Sequence, residues 1–214
     1  MPTSSALKRR ALALLPARLV FFRGPTTAKR LALSFDDGPH ALTEAYLSLL
    51  DALDVPATFF LMGDLLEQAP HMLKRYISRG HQVASHGYDH SAFPSLSFDQ
   101  LRLQLEKTNA ALGAQPTPRP WVRPPYQKLT PKTLISLARL GVTIALSSVD
   151  SRDYGDTAAS DIVAACTRDT IGPGDIFMFH EGLPGTLAAL PAIVSHWRAL
   201  GYEFVTMADL MQLA

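Results

Sequence analysis

Short apolar runs alternate with longer amphipathic ones from residue 30 to the end of the chain. Seven of the short runs read as strands: Leu31–Phe35, Ala57–Leu61, Gln82–Ser85, Trp121–Arg123, Val142–Ser147, Asp175–Phe179 and Glu203–Thr206. Each is aliphatic or aromatic and bounded by Gly, Pro, Ser or Asp, which interrupt strands. Between them the apolar period lengthens to that of a helix. Thr43–Leu53 places Ala45, Tyr46, Leu49, Leu50 and Leu53 at helical spacing. Ser97-Phe-Asp-Gln100 is a capping box that opens a helix through Ala111. Helices over Pro131–Leu140, Asp161–Thr170 and Leu187–Leu200 follow, two of them ended by Gly141 and Gly201, with Pro191 expected to kink the last. Strand-then-helix order implies parallel strands joined by right-handed crossovers, so the expected fold is a single α/β domain, either a closed barrel or an open doubly wound sheet.

The N-terminal stretch, residues 1–28, reads differently. Lys8, Arg9 and Arg10 precede the apolar run Ala11–Phe22, which Pro16 and Arg18 interrupt. No small-x-small cleavage site follows, so the expectation is a packed helix and not a signal peptide, with a basic segment on an anionic membrane surface as the alternative. A cytoplasmic location is expected on that basis, and a cell-envelope one if the segment does meet a membrane. Residues 29–214 are expected to form one domain.

Composition narrows the chemistry. Lys and Arg total 20 and Asp and Glu 19, a net charge of +1 that speaks against a nucleic-acid binder. The lone Cys166 excludes a disulfide framework and thiolate zinc sites, so any transition metal falls to His and carboxylates. No G-x-G-x-x-G follows the first strand, and no Walker sequence is present, which removes support for nucleotide binding. Oligomeric state is not legible.

Ionisable residues gather where the predicted strands end, the place where α/β folds collect reactive groups. Asp36-Asp37-Gly38-Pro39-His40 follows the first strand, His86-Gly-Tyr-Asp-His90 the third, Arg123-Pro-Pro-Tyr126 the fourth, Asp150-Ser-Arg-Asp-Tyr154 the fifth, and His180-Glu181 the sixth. On a helical turn, His86 and His90 would share one face and could share a metal ion. Two His and one carboxylate leave coordination positions open, a catalytic pattern. The Asp36–Asp37 pair could be a solvated turn, or could divide metal binding and proton abstraction between its members. Spacing does not say which Asp does which.

Ser34-Phe-Asp-Asp-Gly-Pro39, His86-x-x-x-His90, Arg123-Pro-Pro-Tyr126, Asp150-Ser-Arg-Asp-Tyr154 and Ile176-Phe-Met-Phe-His180 resemble, in order, the five motifs of the polysaccharide deacetylase family (carbohydrate esterase family four, the nodulation-type chitooligosaccharide deacetylase homology domain). The resemblance implies a distorted (β/α)7 barrel that hydrolyses an N- or O-acetyl group of a sugar, oligosaccharide or polysaccharide. It implies that Asp37, His86 and His90 hold a divalent metal, usually zinc, with cobalt or nickel as alternatives. By the same resemblance Asp36 is the general base toward water on the metal, and His180 the general acid. Arg123 pairs with Asp36, and Asp150 with His180. The Tyr126 backbone N–H helps hold the oxyanion, while Tyr154 and Met178 line the acetyl pocket. Departures fall around the substrate: Tyr154 where Trp is usual, Met178 for Leu, Gly87 for Ser or Thr, and Gln127 where Gly is frequent.

Asp153, Asp89 and Glu181 border this constellation as either supporting partners or turn residues. His40 is expected to be an exposed loop residue, His71, His81 and His196 surface or helix residues, and Cys166 a packing residue. Three other readings share parts of the pattern: deacylation of another amide such as a formamido-sugar or cyclic amide, a non-haem iron oxygenase using the same ligand set, and a non-catalytic carbohydrate-binding relative. The oxygenase loses support because its His-x-Asp/Glu spacing and all-β scaffold are not those seen here.

Overall fold

A computed structural model describes residues 12 and 14–212. Of the segment 1–28 expected to be helical, residues 1–11 and 13 lie outside the described residues. The later part of that segment is not helical but contributes strand β1, Val20–Phe21. The others are β2 (Arg30–Gly38), β3 (Thr58–Leu61), β4 (Gln82–Ser85), β5 (Trp121–Val122), β6 (Thr143–Ala145), β7 (Val149–Asp150), β8 (Ile176–His180) and β9 (Glu203–Phe204). All pairings are parallel, and the strand order is β1-β6-β5-β4-β3-β2-β8-β7, with β9 added to β2. Each of the seven expected strands is present. The two short additions, β1 and β7, are the ends of the curled sheet, which is a distorted (β/α) barrel.

Eight helices accompany the strands among the described residues: α1 (Thr43–Ala52), α2 (Gly63–Gln68), α3 (His71–Ser78), α4 (Phe98–Leu112), α5 (Pro131–Arg139), α6 (Ala159–Cys166), α7 (Pro184–Ala199) and α8 (Met207–Gln212). The capping box of α4 forms as expected: Ser97 Oγ accepts from Gln100 N–H and the Gln100 side chain accepts from Ser97 N–H. Helix α7 begins three residues earlier than the periodicity predicts, on Pro184, and carries Pro191 within it as one element. The unexpected α2 and α3 are too short for their apolar period to stand out.

Alternation along the strands separates two cores. Leu31, Leu33 and Phe35 point outward and pack with Phe59, Phe177 and Phe179 against α1, α6 and α7. Inward-facing Ala32, Phe60, Ala84, Trp121, Ala145 and Ile176 fill the barrel, and Met207 and Leu210 of α8 close its lower end. Above this apolar plug polar residues enter the inward positions: Ser34 and Asp36 on β2, and His180 beyond Met178 on β8. The barrel thus gives its upper end to chemistry.

Candidate active site

The upper end of β2 departs from regular geometry where the acids lie. Asp36 sits opposite Phe60 and Gly38 opposite Leu61, so Asp37 is an additional, bulged residue with φ of +71°. Adjacent side chains on a regular strand face opposite sides. The bulge re-aims Asp37, so both carboxylates reach the mouth of the barrel. The next residue must be glycine, because a Cβ on Gly38 would run into the Glu181 carboxylate.

His86 and His90 also converge there, although not on a helix. They belong to the loop after β4, and His90 has φ of +60°. The loop conformation, not helical spacing, brings the rings to 5.1 Å between centroids. Nε2 of His86 and Nε2 of His90 lie 3.4 and 3.3 Å from Asp37 Oδ1. His86 Nδ1 lies 2.9 Å from the Arg123 carbonyl, which fixes the proton on Nδ1 and leaves the Nε2 lone pair toward Asp37. Burial lowers the His86 pKa below its ordinary value against the pull of Asp36 and Asp37, favouring the neutral ring. Asp37 Oδ1 is buried without a hydrogen-bond donor. Three lone-pair atoms facing one another with no proton between them is a donor set that suits a cation, and the residues expected as ligands therefore fit a metal.

Arg123 is wholly buried beneath the acids. Its Nη1 donates to Asp36 Oδ1 at 2.7 Å and to Ser34 Oγ at 2.8 Å, and its guanidinium lies 4.0 Å over the Phe60 ring. Asp36, 2% exposed, is thus fixed in direction by the expected partner.

On the neighbouring strand the expectation needs correction. His180 pairs in register with Asp36 across β2 and β8, but its partner is Asp153 and not Asp150. Asp153 Oδ1 lies 2.8 Å from His180 Nδ1, and Oδ2 accepts from the His180 N–H and from Thr186 Oγ1. Burial alone would raise the Asp153 carboxyl; the His180 hydrogen bond and charge outweigh it and hold it below the usual carboxylate range. Burial would likewise lower His180, yet the Asp153 hydrogen bond and the surrounding carboxylates bring it to about 8. Asp150 instead accepts from the Arg152 N–H and the Tyr154 hydroxyl, so it braces the loop. The reason is local geometry: β7 ends at Asp150, and the following turn brings Asp153 back under β8.

A cleft of about 550 Å³ joins these groups. Asp36, Asp37, His86, His90 and His180 line it, together with Asp150, Tyr126, Tyr154 and Met178, while Arg123 supports it from below. Tyr126 and Tyr154 stand exposed at its rim. Gln127, a departure from the family pattern, also lines the cleft; its amide donates to Ser147 Oγ and contacts the Met178 sulfur. Glu181 is buried against the Tyr76 and Thr43 hydroxyls, and burial raises its carboxyl to about 7. Its short distance from His180 in sequence gave the only hint of it. His40 is exposed, His71 and His196 lie on helices, and Cys166 is fully buried, all as expected. His81 is not a surface residue: it is buried ahead of β4, accepts from the Ala57 N–H, and falls to about 4 through desolvation.

The chain is similar to known proteins over most of its length. Residues 23–145 match the family model described as polysaccharide deacetylase. A peptidoglycan-N-acetylglucosamine deacetylase of Bacillus cereus is 32% identical over 200 residues, covering 89% of this chain and 71% of the relative. A protein of the same description from Listeria monocytogenes is 34% identical over 86% of this chain, which spans only 39% of that relative's length. The crystal structure of the Bc1960 peptidoglycan N-acetylglucosamine deacetylase, bound to a hydroxamate (4-naphthalen-1-yl-N-oxidanyl-benzamide), superposes with a TM-score of 0.85 at 29% identity, covering 100% of this chain and 98% of that one. Ordered motifs, barrel and sequence similarity converge: the chain belongs to the polysaccharide deacetylase family, hydrolases acting on carbon–nitrogen bonds other than peptide bonds.

Proposed function

We propose that this chain removes the N-acetyl group from an N-acetylated amino sugar within a glycan, with Asp37, His86 and His90 holding a divalent metal. The observation that carries the reading is the pairing of Asp36 with His180 across adjacent strands, beside three converging ligand atoms. An amide is a weak electrophile with a poor leaving group, so hydrolysis needs a base for the water and an acid for the nitrogen. When bound, a cation of this kind, zinc above cobalt or nickel, polarises the acyl carbonyl and lowers the pKa of water from 15.7 towards about 7.

Asp36 accepts the proton of the attacking water, with the Arg123 hydrogen bond keeping the carboxylate aimed. The carbonyl carbon gains an oxygen and its C–N bond breaks. His180 gives the departing nitrogen its proton from Nε2, because Asp153 occupies Nδ1. A group near 8 is mostly protonated at neutral pH, which suits a proton donor. The Tyr126 backbone N–H is assigned to the developing oxyanion, and Tyr154 and Met178 to the acyl methyl. Acetate and a free amine leave. The relatives' described substrate, N-acetylglucosamine in peptidoglycan, supports an amino-sugar glycan as the class acted on.

The test is acetate release from N-acetylglucosamine oligomers and peptidoglycan fragments by the wild type and by Asp36→Asn and His180→Ala. Loss in both variants is expected; turnover surviving both would refute the assigned base and acid.

A further inference from the structure

The two ends of the curled sheet do not pair with each other among the described residues: β1 ends the strand order on one side and β7 on the other. A groove of about 640 Å³ follows this seam. Phe22 and Arg23, just after β1, line it, as does Asp150 of β7. Asp150 is also a wall of the catalytic cleft, so the two depressions share that residue as a common border. Asp150 pairs with Met178, three residues beyond Asp175 at the other end of the groove. At strand rise the groove therefore extends roughly 10 Å down the sheet edge from the cleft.

Its charge distribution is uneven. Arg23, Arg152 and Arg168 all line it, against the two carboxylates of Asp150 and Asp175. Both carboxylates are already engaged. Asp175 pairs with Arg23 at 3.0 Å and accepts from the Gly172 N–H. Asp150 accepts from the Arg152 N–H at 2.9 Å and from the Tyr154 hydroxyl at 3.0 Å. The guanidinium groups of Arg152 and Arg168 have neither an ion pair nor a hydrogen bond among the described residues. Arg152 is moreover held at φ of +59°, a conformation costly for a residue with a side chain. Asp150 fixes that conformation, and one short loop so presents Tyr154 to the cleft and Arg152 to the seam.

We infer that the seam is a subsite for an anionic substituent, a carboxylate or a phosphate, that the glycan carries beside the sugar being deacetylated. The inference rests on the deacetylase reading for its connection to turnover, and on the groove alone for binding. A guanidinium offers parallel donors that match the paired oxygens of either anion, and two of them here are unneutralised. Both side chains are exposed, so a neutral glycan would leave them to water. The ring of Phe22 gives the same groove an apolar surface for the sugar or linker that carries the charge.

The experiment uses three oligomers of equal length: a neutral N-acetylglucosamine oligomer, one bearing a carboxylate on the adjoining sugar, and one bearing a phosphate there. Binding is read by calorimetry and turnover by acetate release, for the wild type and for Arg168→Ala combined with Arg152→Gly, which keeps the left-handed backbone. We expect an anionic oligomer to bind at least tenfold more tightly than the neutral one at low salt, with the advantage collapsing towards 0.5 M salt as screening requires. The double variant should abolish that advantage through KM and leave turnover of the neutral oligomer unchanged. Whichever anion gains more identifies its source. Equal binding of all three oligomers, or an anionic preference that survives the double variant, overturns the subsite. Arginine-dependent binding without acetate release would uphold the subsite and refute the deacetylase reading instead.

Discussion

Asp153 Oδ1 and His180 Nδ1 lie 2.8 Å apart, and the same carboxylate accepts the His180 backbone N–H through its other oxygen. This double engagement sets the tautomer, the orientation and the charge of the imidazole at once. Asp153→Asn should lower kcat by about 10²–10⁴-fold, the scale of a lost general acid. Asp150→Asn should be milder, because Asp150 contacts Tyr154 and the Arg152 backbone instead of the imidazole. Steady-state kinetics of the two variants decide the assignment, and equal losses would argue against it.

The pH profile carries a sign fixed by the same pair. His180 is raised from 6.5 to about 8, so its protonated form persists through neutral pH. A proton donor loses activity as it deprotonates, hence kcat should fall as pH rises through about 8. Protonation also stabilises the fold: that contribution is complete below 6.5 and is lost as pH rises through about 8. In residual Asp153→Asn activity the alkaline limb should move to lower pH. A limb that stays in place would detach it from His180.

Arg123 and Asp36 form a pair 0% and 3% exposed at their side chains. Removing one partner strands a buried charge, which typically costs about 3–5 kcal/mol. Arg123→Met should therefore lower the unfolding free energy read from chemical denaturation by that order, and Arg123→Met with Asp36→Asn should cost less than the sum of the single changes. Additive losses in a double-mutant cycle would contradict coupling.

Metal content gives an independent measurement. The protein as purified should carry one equivalent of divalent metal per chain, removed by chelation together with activity and restored by zinc. His86→Ala should bind metal at least tenfold more weakly. Full activity in metal-free protein would overturn the proposed ligand set.

Much of this architecture was legible because its signals are local. Strand β4 was read to the residue, and the Ser97–Gln100 box marked the start of α4. The five strand-end clusters announced the cleft. What escaped was set by tertiary context. Strands β1 and β7 are defined by their pairing with β6 and β8 at the two ends of the sheet and not by a local pattern. Asp150 and Asp153 are both aspartates in one turn, and only the return of the chain beneath β8 tells them apart. His81 has the composition of a surface residue but is covered by the packing ahead of β4. The His86–His90 spacing is compatible with a helix, yet Gly87 at φ of +85° and His90 at +60° make it a loop that aims both rings.

The bulge at Asp37 acts as a phase shift between two stretches of one strand. Below it, Ser34 and Asp36 keep step with the barrel interior; beyond it, Gly38 resumes pairing one residue out of count. The segment from Ser34 to Gly38 is therefore intolerant of changes in length, independently of which residues fill it. Deleting one residue before the bulge would turn Asp36 toward the apolar layer under the helices, where no Arg123 awaits it, and would leave the two strands that carry the proposed base and acid in register with the wrong partners.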